Sequence, residues 1–315
     1  MTGRTPVNIL MDVDTGVDDA MALAMAVASP DLNLVGVTTV AGNVSLIQAT
    51  DNTLRVLDYL GATDVPVNRG MSRPLSRDHF DAAHFHGSDG LGGAPLPASQ
   101  RMPEAMTAPE FIVRSAHEYR GQLTLVFVGP LTNLAVALAL EPDLPELVSR
   151  TVIMGGAFTV PGNTTPWAEF NVAVDPEAAM IVAESTLHAT WVGLDVTSTT
   201  NLYRNEWERI DDDASMGARL VREVSRRAFA VSNYDEMHLH DPLAVGVALQ
   251  PDLIECQQTS ILVDTSIRDA AGMTRMVTGD QSSMNQVAVK VDRDRFRALF
   301  GEILGVPLVE SAIRD

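Results

Sequence analysis

The sequence predicts an α/β fold, a largely parallel sheet covered on both faces by helices, for three reasons. Short apolar, β-branched runs alternate with longer stretches of helical periodicity, the pattern of repeated βαβ units. At 315 residues and 46% hydrophobic content, the chain can bury a large core. No stretch rich in Pro, Gly or Ser divides it and no segment repeats, so residues 1–315 are expected to form one domain.

The first strand is expected over 7–12, where Val7, Ile9, Leu10 and Met11 lead into the acidic run DVDTGVDDA. A helix over 17–28 follows, with Asp18 and Asp19 in its first turn, where the helix dipole and free N–H groups favour carboxylates. Strand 34–40 and helix 45–60 come next, and then a helix over 108–120 and a strand over 123–129. GPLTNLA at 129–135 is the turn into helix 131–141. Strand 151–154, helix 176–185 opened by DPEAA, and strand 189–194 continue the alternation. A long helix is expected over 214–231 and another over 241–250, where Asp241 before Pro242 suits an N-cap. Strands 259–264 and 285–291 and helix 293–304 end the series. Two stretches lack periodicity, 68–107 and 155–171. Loops this long in a compact domain are usually functional, and both follow strands, so both can reach over one sheet edge.

The formal net charge is −19, which argues against nucleic acid and anionic membrane as partners, since both need basic patches. Cys256 is the single cysteine, so neither an internal disulfide nor a Cys-based zinc site is available. The first residues carry no apolar core ahead of a small-residue cleavage site, and no 18-residue apolar stretch spans a membrane; a cytoplasmic protein is expected.

Four carboxylates, Asp12, Asp14, Asp18 and Asp19, fall within eight residues at a strand–helix junction. Like charges this close repel unless a cation sits among them, and oxygen donors without a Cys or His shell suit calcium, with magnesium the alternative, rather than zinc. The carboxyl end of a parallel strand is also where open α/β sheets place their sites. His240 beside Asp241, in HDPLAV, is a candidate proton donor fixed at a helix start. Glu169 and Asn171 would point to one side of an extended segment, where a carboxylate and an amide suit vicinal hydroxyls. Asn163 in PGN and Asn43 in VAGNV belong to the same edge, each with a turn-forming role as its plainer reading.

Taken in order, DVDTGVDDA, TTVAGNV, HGSDGLGG, VGPLTNLA, IMGGA, GNTTPWAEFN with DPEAA, LDVT and HDPLAV resemble the nucleoside hydrolase family of the inosine–uridine-preferring type, over nearly the whole chain. The opening DxDxGxDDA with the distant HDPLA is the specific part. The resemblance implies an open, mostly parallel Rossmann-like sheet with helices on both faces and no dinucleotide. It implies a calcium ion held by Asp14, Asp19, Asp241 and the backbone carbonyl of Thr132. It places ribose on that ion and on Asp18, Asn163, Glu169, Asn171 and Asp241, with Asn43 and Met154 nearby and His240 facing the base. The expected partner is a small-molecule nucleoside, in a homodimer or homotetramer. The expected reaction is hydrolysis of the N-glycosidic bond through an oxocarbenium-like state, with Asp14 as base and His240 as acid.

The sequence departs from that pattern at Thr15, where the family has Pro, and at Ser198, where members often carry His. VSNYDEMHLHD lacks the family's Tyr and Gly pattern before the HD pair, leaving Tyr234 and His238 available without an assigned role. Segments 68–107 and 225–240 are candidate lids. Two rival readings exist. A haloacid dehalogenase-type phosphatase would use Asp12 as nucleophile, but it needs a phosphate-neutralising lysine, and the only one, Lys290, lies in a late strand. A non-catalytic nucleoside- or ribose-binding protein would need neither an intact base nor an acid.

Overall fold

The computed structural model describes residues 5–267, 269–277 and 284–308. The chain begins β1 (Val7–Val13), α1 (Val17–Ala28), β2 (Leu32–Thr39), α2 (Leu46–Tyr59), β3 (Val67–Arg69), α3 (Ala83–His86), α4 (Ala108–Glu118) and β4 (Leu123–Phe127). It continues α5 (Thr132–Leu140), α6 (Leu144–Leu147), β5 (Arg150–Met154), α7 (Phe170–Val174), α8 (Pro176–Glu184), β6 (Thr190–Val192) and α9 (Leu194–Thr197). Then come β7 (Asn201–Tyr203), α10 (Arg204–Trp207), α11 (Met216–Arg226), β8 (Glu236–His238) and α12 (His240–Leu249). The last elements are β9 (Ile254–Val263), β10 (Thr274–Val277), β11 (Asn285–Val291) and α13 (Arg293–Leu304).

Nine strands form one sheet in the order β10-β9-β11-β6-β5-β4-β1-β2-β3. From β11 through β6, β5, β4, β1 and β2 to β3 every pair is parallel; β9 pairs antiparallel with both β11 and β10. Mostly parallel sheets bury both faces, and β1 shows how. Ile9, Met11 and Val13 enter one apolar cluster, with side chains from α1, α11, α12 and α13. Leu10 enters the other, with Phe111 of α4, Leu134 of α5 and Ala178 of α8. Strand side chains alternate, so these are the two faces. The chain order reverses between β1 and β4, which makes their carboxyl ends the switch point of the sheet. Among the described residues no helix is long and apolar enough to cross a membrane.

Several expectations need correction. The helix over 214–231 ends at Arg226, and Arg227–Val231 forms a π turn. The strand expected at 259–264 starts at Ile254. Strands β3, β7, β8 and β10 and the four-residue helices α3, α6, α9 and α10 were not expected; three or four residues are too few to show a period. Asp241 is not an N-cap: α12 already starts at His240, so Asp241 lies inside its first turn. Glu169 and Asn171 are not on an extended strand. Glu169 caps α7, and Asn171 lies in its first turn.

Candidate active site

The β1–α1 junction folds its carboxylates inward because the loop's own N–H groups bind them. Asp19 accepts from the Asp14 N–H at 3.1 Å and the Gly16 N–H at 2.8 Å, and from the Asn43 amide at 3.0 Å. Asp14 accepts the Asn43 backbone N–H at 2.6 Å. Room for Asp14 comes from two glycines of the recognised motifs. A Cβ on Gly42 would stand 2.0 Å from its Oδ2, and one on Gly129 3.0 Å from its Oδ1. Asp241 arrives on α12, which packs beside α1. One carboxylate oxygen from each of Asp18, Asp19 and Asp241 lies within 4.8 Å of the others.

Asp14, Asp18, Asp19 and Asp241 are all buried. Desolvation is the leading cause that raises the pKa of all four, to about 6 for Asp18 and Asp19 and well above the ordinary value for Asp14 and Asp241. Among the described residues, the basic group within 4 Å of these carboxylates is His86, 3.9 Å from Asp18. Burial lowers the His86 pKa to about 4, so it brings no charge at neutral pH. Asp14 Oδ1 and Asp18 Oδ1 are buried without a hydrogen-bond partner. Clustered, desolvated, unneutralised and partly unbonded oxygens could hold a hard divalent cation, whose preferred donors they are. Thr132 stands at the start of α5, and its hydroxyl donates to Asp175 at 2.6 Å.

Above this cluster lies a cavity of about 320 Å³, the size of a small-ligand pocket. Asp18, Asn43, Met154, Asn163, Glu169, Asn171, His240 and Asp241 all line it; Asp14, Asp19 and Thr132 do not. Glu169 accepts three backbone N–H groups, from Gly156, Asn171 and Val172, while burial raises its pKa to about 7. Asn171 donates to the carbonyls of Val128 and Met154, which ties α7 to the ends of β4 and β5. Asn163 caps the same helix from outside by accepting the Phe170 N–H. His240 shares a 2.7 Å hydrogen bond through Nδ1 with the Thr197 hydroxyl. Burial, with His238 and His86 adding, lowers its pKa to about 3, so it is a neutral imidazole.

The cavity also contains residues that sequence reasoning did not assign. His86 accepts the Val17 N–H at its Nδ1, which leaves Nε2 as the protonated nitrogen. Phe80, Phe85 and Phe170 supply apolar wall, and Phe80 and Phe170 meet edge to face at 5.7 Å. HGSDGLGG was the available signal for His86. Its partner, Val17, lies far off in sequence. Tyr234 is half exposed and is not part of the wall. Asp12 is absent from the wall as well: its Oδ2 is bonded by Thr38 and Asn133 beneath the site. Lys290 is 70% exposed on β11, paired with Glu255. The phosphatase alternative therefore has neither its nucleophile nor its cation in the cavity.

Residues 9–298 match the sequence model of the family described as inosine-uridine preferring nucleoside hydrolase. The chain is 39% identical over 272 residues to a pyrimidine-specific ribonucleoside hydrolase, RihA, of Shewanella oneidensis, covering 84% of this chain and 85% of that one. It is 37% identical to the protein of the same name from Citrobacter koseri, covering 94% and 97%. Among solved structures, a plant nucleoside hydrolase, PpNRh1, superposes with a TM-score of 0.90 at 32% identity, covering 96% of this chain and all of that one. A purine-preferring ribonucleoside hydrolase from Gardnerella vaginalis superposes at 0.88 with 35% identity, covering 95% and 98%.

Proposed function

From the premise that the chain belongs to the inosine-uridine preferring nucleoside hydrolase family and is a ribonucleoside hydrolase, we propose that it hydrolyses free ribonucleosides with calcium held at the β1–α1 junction. The observation that carries this is the set of buried carboxylates, unneutralised and with two orphaned oxygens, directly beneath a nucleoside-sized cavity. Asp14, Asp19, Asp241 and the Thr132 carbonyl are the proposed ligands. Bound there, the cation supplies positive charge that orients and acidifies water and draws the ribose hydroxyls.

The chain's own groups do the rest. Asp18, Asn163, Glu169 and Asn171, with Asn43 and Met154 beside them, hold the ribose. Their carboxylates favour the positive charge that develops on the sugar as the glycosidic bond stretches. Asp14, with one unbonded oxygen, takes the proton of the attacking water. His240 stabilises the leaving base. As a neutral imidazole it does so by hydrogen bonding, and a hydroxyl proton given by Thr197 to Nδ1 leaves Nε2–H as the donor. The reading carries with it a cytoplasmic location and an assembly of two or four copies, which sedimentation would check.

The test is ribose release from uridine, cytidine, inosine, adenosine and guanosine with calcium present, beside Asp14→Asn. Pyrimidine-specific relatives put uridine and cytidine first. The parent should release ribose, and the variant should be about 100- to 10,000-fold slower with its fold intact. Equal release by both would remove Asp14 from the chemistry. No release from any of the five, with tight nucleoside binding, would favour the binding-protein alternative.

A further inference from the structure

His238 lines the cavity and has no part in the mechanism above. Its ring stands against that of His240, with centroids 5.2 Å apart. It projects from β8, which pairs antiparallel with β7, and its Cα partner across that ribbon is Asn201. Its Nδ1 lies 2.6 Å from Asn201 Oδ1.

Hydrogen-bond bookkeeping along this chain leaves one solution. The Asn201 amide nitrogen is 3.1 Å from a carboxylate oxygen of Glu236. An ionised carboxylate only accepts, so the amide nitrogen donates and the assignment of Asn201 is fixed. Asn201 Oδ1 also only accepts, so Nδ1 of His238 must carry a proton. Burial lowers the His238 pKa despite the opposing pull of Glu236, so the ring is neutral and carries no second proton. Nε2 is therefore a bare acceptor. The relay is anchored from behind, because the buried guanidinium of Arg297 on α13 donates to the Asn201 carbonyl and pairs with Glu206. His86 and His238, which both line the cavity, thus carry opposite tautomers, His86 with Nε2–H and His238 with bare Nε2.

We propose that His238 is a specificity-determining residue: its Nε2 accepts from an N–H on the edge of the nucleobase, ring or exocyclic. The Glu236–Asn201 pair is what keeps that nitrogen an acceptor. This rests on the hydrolase reading above. A contact of this kind selects bases by an N–H donor and discriminates against analogues without one, since the acceptor, covered by the bound base, is then left unpaired.

The experiment compares kcat/KM for cytidine with its 4-deamino analogue, pyrimidin-2-one riboside, and for inosine with purine riboside. Each pair deletes the donor without adding bulk. In His238→Phe the preference for the donor-bearing member should fall by about tenfold or more in at least one pair, mainly through KM. Taking the ratio cancels the intrinsic leaving ability of each base. Asn201→Ala should shift the same ratio in the same direction with the cavity wall intact. Nitrogen-15 spectra of the parent should show the His238 Nε2 unprotonated at neutral pH. Ribose from all four nucleosides with ratios unchanged in His238→Phe, or a protonated Nε2, overturns the base-reading role alone. Loss of kcat for both members of each pair equally marks a structural role and also overturns it. Absence of ribose from every nucleoside, natural ones included, overturns the hydrolase reading and this one with it.

Discussion

Glu169 shows what single residues contribute. Its carboxylate is buried, takes three backbone N–H groups at the start of α7, and still has its pKa raised to about 7 because desolvation outweighs those bonds. The unfolded chain gives up this proton near 4.5, whereas the folded protein holds it to about 7. The stability this group contributes is therefore complete below the unfolded value and is lost as pH rises through about 7. Glu169→Gln has no proton to lose, so its stability relative to the parent should rise by up to about 3 kcal/mol between pH 5 and pH 8, read as a higher relative melting temperature. Melts at both pH values in chelator check this, and a constant difference would show that Glu169 titrates normally. The same variant should lose turnover, because Gln brings no negative charge to the developing cation. Glu169 is thus costly to the fold at neutral pH and, in the proposed mechanism, useful to the reaction, a combination expected of a site residue.

At the scale of elements, the site is assembled where helices begin. Asp175 caps α8 through the Ala178 N–H at 3.1 Å, while its other oxygen accepts the Thr132 hydroxyl at 2.6 Å and the Leu75 N–H at 3.0 Å. One carboxylate thus joins the start of α5 and the long 68–107 segment to α8. Asp175→Ala should cost about 1–2 kcal/mol as a lost cap. It should also weaken calcium binding, because Thr132 loses the bond that holds its turn. Thermal melts and calorimetric calcium titration separate the two effects; a lowered melt with unchanged affinity would leave Asp175 a cap only. The DPEAA helix start was legible in the sequence because capping is local. The Leu75 and Thr132 bonds were not, since nothing local names a partner so far along the chain. The same distinction runs through the fold. Helices of ten residues and more, such as 17–28 and 293–304, showed their period. Strands β7 and β8, three residues each, showed none, yet they place His238 and Asn201 side by side. The acidic motif and HDPLAV could be read as one site through family resemblance. His86 could not, because its place depends on a four-residue helix in an aperiodic stretch.

For the whole molecule, the sheet order brings Asp14, Asp18 and Asp19 from the first strand–helix unit against Asp241 from a late helix, all buried, in a chain of net charge −19. Among the described residues the basic group beside them, His86, is neutral, so the folded protein without a cation carries a repulsive centre. With Asp18 and Asp19 raised to about 6, and Asp14 and Asp241 raised well above their ordinary value, folded carboxylates hold protons that the unfolded chain releases near 3.8. Chelated protein should accordingly lose stability as pH rises from 4 to 8. Calcium should reverse that trend. It binds deprotonated carboxylates, and only the folded state gathers them, so its effect grows as pH rises through about 6. At pH 8 and a hundredfold excess over Kd it should add about 3 kcal/mol, several degrees of melting temperature for a chain this size. Scanning calorimetry at pH 5 and pH 8, with chelator or calcium, tests this. Asp241→Asn and Asp14→Asn should each melt higher than the parent in chelator and gain less from calcium. A calcium shift equal at both pH values, or undiminished in either variant, would mean that the ion stabilises the protein from somewhere other than this cluster.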